Sequence, residues 1–504
     1  MDSLPVELVR LIFQYCDAPS VRTLRLGAMR YAFIGYEYLI PAHFTAVEWR
    51  DDVQRLHNIA CHERLRGAIQ SLAFNFSKLR EDFVELDLNQ HLSPDRLAMV
   101  DDFWYNVSWR EEVSRDMAPF HTRRDTVEAA LRRLPNLKAL EVTFNKSPHT
   151  ADGLGDLFEH YDLQACRIQD DDIAVETVTT VISALQNTRL DSLTVDHLPL
   201  RTFASPRARK IWFGSQAVFG NLSRLDLVIT VPNDLGPSRL QRAVLSLGEV
   251  LQLSPNLTDL RLGFRRYPRH GSQKFHVQFD ALFKNHLTLK KLKNLKLECM
   301  SCTETDLKQF LLRHSSTLER LRLGGRGLEA WGGISLSEGR WKSFFTSLRG
   351  KLTALKRLHL QGDFESGRLV RFKEKWAFRA STDEDWNPLD GPEFSGRDRP
   401  GDWVGYNQDS RELEKFLIDG GPWPILWGPA FTTPDFTSSP SPSPSPPLLS
   451  SDHQYALNGL SFGYQAAPMS SAAGQNGAHH GSDLPTSIIS HRPHPSSAPL
   501  SGNV

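Results

Sequence analysis

Near the start of the chain the apolar positions fall at helical spacing in two stripes rather than one. Leu4, Leu8, Leu11, Ile12 and Tyr15 form the first, and Val6, Val9, Phe13 and Cys16 form its neighbour. Glu7, Arg10 and Gln14 leave only a narrow polar face, so the spacing predicts a helix that is apolar on most of its surface. Ser3 suits a cap, Pro5 a first turn, and Glu7 the positive end of the helix dipole. Such a helix needs cover on two sides. One side can pack on its own neighbours, and the other is expected to meet a different surface or a different protein. Asp17-Ala18-Pro19-Ser20 reads as a break and restart, Val21, Leu24 and Ala28 give a second short helix, and Phe33, Ile34, Tyr38 and Leu39 a third before Pro41.

Further along, the pattern Leu-x-x-Leu-x-Leu or an aliphatic variant recurs. Its copies are Leu137-Leu140-Val142, Leu190-Leu193-Val195, Leu222-Leu225-Leu227, Leu257-Leu260-Leu262, Leu292-Leu295-Leu297, Leu318-Leu321-Leu323 and Leu355-Leu358-Leu360, with Ile69-Leu72-Phe74 an earlier one. From 190 onward successive starts differ by 32, 35, 35, 26 and 37 residues, a span that fits stacked strand-plus-helix units. Two aliphatics two residues apart put both side chains on one face of a strand. Helical patterns flank the copies at 126–134, 240–251 and 306–312, with Asn136, Asn221, Asn256, Pro135 and Pro255 marking the turns into strands. An ordinary α/β domain, which also alternates strands with helices, is the rival reading.

The N-terminal residues Leu4, Pro5, Glu7, Leu8, Ile12, Asp17, Leu24, Arg25, Leu26, Arg30 and Phe33 resemble the F-box family, departing from it at Gly27-Ala28-Met29. The repeats resemble degenerate leucine-rich repeats, and residues 292–328 look like those of fungal F-box proteins. The resemblance implies an α/β fold in three parts: a short all-α F-box at 1–45, an irregular leucine-rich-repeat-like solenoid with a C-terminal cap at 50–431, and a disordered Ser/Pro-rich tail at 432–504. The rival for the first part is a plain helical cap. Residues 84–121, with Trp104, Tyr105 and Trp109, break the repeat. Residues 364–431 carry Trp376, Trp386, Trp403, Trp423 and Trp427, and end in a helix and Gly420-Gly421-Pro422 that suit a cap.

Composition narrows the function. Among 504 residues, Lys plus Arg and Asp plus Glu are both 59, so no general attraction to nucleic acid or anionic membrane is implied. No apolar run is long enough for a bilayer, and Met1-Asp2-Ser3 does not open a secretory signal. Five cysteines without framework spacing fit the reducing cytoplasm or nucleus. Ser439, Ser441, Ser443 and Ser445 each precede proline and suit proline-directed kinases, although a flexible tail explains them as well.

Candidate chemistry mostly fails. Cys299 and Cys302 form a Cys-x-x-Cys without a second ligand pair, and read as structural thiols. His57, Cys61 and His62 lack a full ligand set, and Asp170-Asp171-Asp172 suits a helix start. No catalytic centre, metal site or cofactor is expected. By resemblance the chain is a non-catalytic receptor of a cullin-type ubiquitin ligase. It would bind a Skp-type adaptor through Leu4, Pro5, Leu8, Leu11, Ile12 and Leu24, and a target protein through the repeats. If the aliphatic motif positions point inward, alternate strand positions line an exposed concave face. There Arg261, Lys296, Arg320, Arg322, Arg357 and His359 outnumber Asp259 and Glu298, which suits an acidic or phosphorylated target. A solvated charged surface is the plainer alternative. A scaffold with no ligase role, and more distantly a thiol enzyme on Cys299 and Cys302, are the other functional readings.

Overall fold

A computed structural model describes residues 4–47, 51–79, 120–144, 166–167, 171–186, 188–231, 235–266, 274–283, 287–325, 333–367, 374–378 and 410–424. Three short helices lead the chain: α1 (Val6–Gln14), α2 (Ala18–Gly27) and α3 (Met29–Ile34). The strands that follow are β1 (His43–Val47), β2 (Ser71–Asn75), β3 (Lys78–Leu79), β4 (Ala139–Thr143) and β5 (Cys166–Arg167). Next come β6 (Ser192–Pro199), β7 (Arg224–Val231), β8 (Asp259–Arg266), β9 (Phe275–His276) and β10 (Asn294–Glu298). Last are β11 (Met300–Thr303), β12 (Arg320–Gly324), β13 (Ile334–Glu338), β14 (Arg357–Ser366) and β15 (Glu374–Phe378).

One sheet takes in all of these except β3 and β5, which pair with each other. Its path is β1-β2-β4-β6-β7-β8-β10-β12-β14 and then back through β13, β11 and β9, with β15 added antiparallel beside β14. Every pairing along that path is parallel. Parallel strands need crossovers. Helices supply them: α4 (Asp52–Cys61), α5 (Arg124–Arg132), α6 (Asp171–Ala184), α7 (Arg201–Ala204), α8 (Pro206–Gly214), α9 (Gln216–Asn221), α10 (Pro237–Gln252), α11 (Phe279–Leu282), α12 (Glu304–Arg313) and α13 (Trp341–Leu348). The patterns at 240–251 and 306–312 thus fall inside α10 and α12, and that at 126–134 runs two residues past the end of α5.

The aliphatic motif makes the core. Its fourth positions, from Leu140 through Leu193, Leu225, Leu260, Leu295 and Leu321 to Leu358, lie side by side across neighbouring strands and are buried. Its sixth positions form a second row, from Val142 to Leu360, and the leading leucines from Leu137 to Leu355 are buried in the turn before each strand. Burying each such side chain contributes about 1.5–3 kcal/mol, and the rows run unbroken from rung to rung. The predicted early copy Ile69-Leu72-Phe74 is buried in and just before β2. Cys299, with φ of 56°, turns β10 directly into β11. Cys302 is buried in the core, and burial pushes its thiol above the ordinary value, away from the thiolate that redox or zinc chemistry uses.

This architecture corrects the expected fold class. The N-terminus is not a separate all-α F-box: the supposed boundary at residue 45 falls inside β1, which pairs in parallel with β2 at the edge of the sheet. Nor is the remainder a chain of one-strand repeats, because β9, β11 and β13 build a second run of pairings that returns through the far half of β14. The rival α/β reading describes the chain better. Both arrangements share strand-helix alternation, so that pattern could not separate them; the pairing of distant strands does. At the last described end, α14 (Arg411–Ile418) packs Leu413, Phe416 and Leu417 into the core, and Trp423 stands edge-on to Phe416 with 5.0 Å between ring centres. The Ser/Pro-rich tail expected at 432–504 lies outside the described residues, as do Trp104, Tyr105, Trp109, Trp386, Trp403 and Trp427.

Candidate functional site

In α1, Val9 and Phe13 of one predicted stripe are buried while Val6 of that stripe is 38% exposed, and Leu8, Leu11 and Ile12 of the other stripe lie outside. Val9 and Phe13 of α1 join Val21 and Ile34 in a small core distinct from the main one. Leu4, Leu24 and Tyr38 pack around it, and the Phe13 and Tyr38 rings stack with centres 5.7 Å apart. Gly35 permits this closeness, since a Cβ there would come within 2.7 Å of the Phe13 ring. Asp17 accepts from the Ser20 amide at 2.9 Å and caps α2, and hydrogen bonding from the Ser20 side chain first and its amide second holds the Asp17 carboxyl below the usual value. Tyr36 reaches His62 beyond α4 at 2.9 Å, tying the helices to the rest of the chain.

The outward side of α1 carries Leu8, Leu11 and Ile12 at 47%, 48% and 42% exposure, with Pro5 exposed at the helix start. Of the six adaptor candidates, these four are on the surface, while Leu4 and Leu24 support them from the small core. Four further exposed apolar residues were not among those candidates, although Tyr15 belongs to the same predicted stripe and Leu26 and Phe33 to the F-box-like spacing. Tyr15, Leu26, Met29 and Phe33 are 85%, 90%, 92% and 62% exposed. A signal existed: Leu24 and Leu26 lie two apart on α2, so they cannot both face one core. Leu8, Leu11 and Ile12 share one side of α1, and contiguous exposed apolar surface of that kind suits an interaction site.

The six expected target-binding residues are differently placed. Registry aligns Asp226, Arg261, Lys296, Arg322 and His359 across five adjacent strands, while Arg320 and Arg357 pair in a separate row nearer the strand starts. The first row is not exposed. Lys296, Arg322 and His359 are at most 5% accessible, and their partners are internal. Arg261 bridges Asp226 at 3.2 Å and Glu298 at 2.7 Å, Lys296 lies 3.8 Å from Glu298, and Arg322 donates to Gln361. Ser410, just before α14, meets His359 at 3.3 Å, and Glu414 lies 3.6 Å from Arg357. Alternation with period two told which residues share a face but not whether that face is covered.

Electrostatics follow the burial. Burial alone would lower the Arg261 value, but Asp226 and Glu298 outweigh it and raise the value above the ordinary one. Lys296 is held well below the usual lysine value by burial first and then by Arg261. Burial, followed by the charge of Arg322, likewise holds His359 well below 6.5. Removing one partner from a buried pair of this kind costs about 3–5 kcal/mol, because the charge left behind is buried and uncompensated.

His314 adds a pH dependence. Its Nδ1–H donates to the Phe310 carbonyl at 2.8 Å while Nε2 accepts from the Leu289 amide at 3.0 Å, which requires the neutral ring. Burial lowers its value below 6.5. The unfolded chain therefore takes up a proton before the folded one does, so this stabilisation is complete above about pH 6.5 and declines as the pH falls below it. The melting temperature should drop between about pH 7 and pH 5, and drop less in His314→Gln. A melting temperature that holds or rises over that interval would contradict this placement.

Among the described residues no group of three or more His, Cys, Asp and Glu side chains could hold a metal ion. His57 and Cys61 meet on α4 with ring nitrogens 3.7 and 3.8 Å from Sγ, and Arg133 donates to the same sulfur at 2.7 Å. Asp171 and Asp172 open α6, as their acidity suggested, and both pair with Arg201, at 3.3 and 2.8 Å. No helix among the described residues is long and apolar enough to cross a membrane. No family model matches the sequence, and no curated protein does so either.

Proposed function

We propose that this chain is a non-catalytic recognition subunit of a cullin-type ubiquitin ligase. A Skp-type adaptor docks on the N-terminal helices, and a target protein is held elsewhere on the same chain. The reading rests above all on Leu8, Leu11 and Ile12, exposed on α1 while Val9 and Phe13 secure the helix from beneath. An apolar helix face of this kind fits a hydrophobic groove in a partner. It requires no separate all-α domain. The F-box-like spacing from Leu4 to Phe33 supports the choice of adaptor. Holding the target on the same chain raises its effective concentration near the ubiquitin-charged enzyme, and ubiquitin transfer takes place on other subunits. The reading places the protein in the cytoplasm or nucleus.

Calorimetric titration of a purified Skp-type adaptor into the full chain tests it. Expected is a one-to-one complex with Kd of about 1 μM or tighter and a negative heat-capacity change from apolar burial. Absence of heat and of any complex at about a hundredfold that concentration would overturn the reading.

A further inference from the structure

A second surface lies where the strands begin. The residue before each strand offers a carbonyl that accepts two amides from the next rung. Thr258 accepts from Lys293 and Asn294 at 2.8 and 2.9 Å, and Lys293 accepts from Glu319 and Arg320 at 2.8 and 2.9 Å. Glu319 in turn accepts from Lys356 and Arg357 at 2.8 and 3.2 Å. This ladder fixes Thr258, Lys293, Glu319 and Lys356 in a row at strand spacing, about 4.8 Å apart. Lys290 and Lys291 stand on the turn leading into β10. Together these residues line an open cleft of about 590 Å³.

The charge of this cleft differs from that of the chain. Lys290, Lys291, Lys293 and Lys356 face Glu319 alone, leaving the lining three charges positive on a chain whose net charge is zero. Glu319 is shared between Lys356 at 2.6 Å and Lys293 at 3.3 Å, and Lys356 is the first cause of its lowered carboxyl value. Lys291 donates to Asn256 at 2.8 Å. Lys290 makes no ion pair among the described residues and is exposed. A single glutamate satisfies two of the four ammonium groups, and the other two are available to a ligand.

We propose that this cleft binds an acidic or phosphorylated segment of a partner protein. Ammonium groups on flexible stems act as adaptable point charges toward carboxylate or phosphate. A cleft of this size takes a few residues of extended chain. A net charge of zero gives the chain no general attraction to a nucleic-acid backbone. The inference deepens the receptor reading and rests on it for the identification of the partner as the ligase target. Peptide binding and adaptor binding are read separately, so either can fail alone.

The test uses the full chain and a fluorescein-labelled Ser-Glu peptide carrying two phosphoserines, followed by fluorescence anisotropy. Its unphosphorylated form and inorganic phosphate serve as competitors and distinguish acidic from phosphate recognition. Expected is binding that weakens steeply with added salt and falls about tenfold or more in Lys290→Glu with Lys291→Glu, while adaptor titration is unchanged. The milder pair Lys290→Gln with Lys291→Gln should show the same direction, guarding against misfolding. Arg239→Glu with Arg242→Glu makes the same charge change at exposed positions on α10 and should leave binding intact. Unaltered affinity in both lysine pairs would overturn the proposal. So would an equal loss in the arginine pair, or tighter binding of a single-stranded oligonucleotide of matching charge.

Discussion

Leu295→Asp should lower the melting temperature of the sheet-bearing unit by about 10 °C or prevent its folding altogether. Leu295 is 1% exposed in β10, and its neighbours in register are Leu260 on β8 and Leu321 on β12. The substitution forfeits about 1.5–3 kcal/mol of apolar burial. It also places a carboxylate among leucines with no group to pair it, a cost of several kcal/mol that the chain can avoid only by protonating the group or opening the rung. The effect spreads because each leucine in the row is held by the rungs on both sides. Arg239→Asp, at an exposed position of α10, should change the melting temperature by little. Calorimetric melting of both variants decides it, and equal melting would mean that Leu295 does not lie in the core.

How much of this was legible in the sequence depends on the range of the interaction. The strand cores were legible because their signal is local: two aliphatics two residues apart, preceded by a leucine, specify a buried strand wherever they occur. The same holds for α5, α10 and α12. The start of α6 was legible from Asp171-Asp172, which the Arg201 side chain then pairs. Strand β1 went unrecognised because Phe44 and Ala46 lack the leading leucine, although both are buried. Pairing partners were not legible. Nothing in residues 334–338 announces that β13 joins the far half of β14, and that long-range choice separates the observed sheet from a simple stack of repeats.

The candidate sites divide along the same line. On α1 the two stripes hold only in part: Val9 and Phe13 are buried, the Phe13 ring needing Gly35 opposite it, while Val6 of the same stripe is exposed and Leu4 of the other packs against the small core. The basic row on the strands was legible as a row, since Arg261, Lys296, Arg322 and His359 do lie in register. Its burial was not, because cover comes from residues distant in the chain, as Ser410 beside His359 illustrates. The lysine cleft escaped notice for a related reason. Lys290, Lys291 and Lys293 are close in sequence, but Lys356 joins them only through strand pairing.

If α1 presents its outer face to an adaptor, Leu8→Asp should break the complex and leave the fold alone. Leu8 is 47% exposed and takes no part in the small core, so an aspartate there remains in water in the free protein and the fold is kept. In a complex the same carboxylate would be enclosed against apolar surface without a partner, costing about 2 kcal/mol or more and weakening the complex about thirtyfold or further. Val9→Asp makes the contrast: it charges the small core itself and should loosen the helices. The measurement is titration of purified Skp-type adaptor into Leu8→Asp, paired with its melting curve. Expected is loss of adaptor binding with the melting temperature of the unaltered chain; adaptor binding as tight as that of the unaltered chain would contradict the claim.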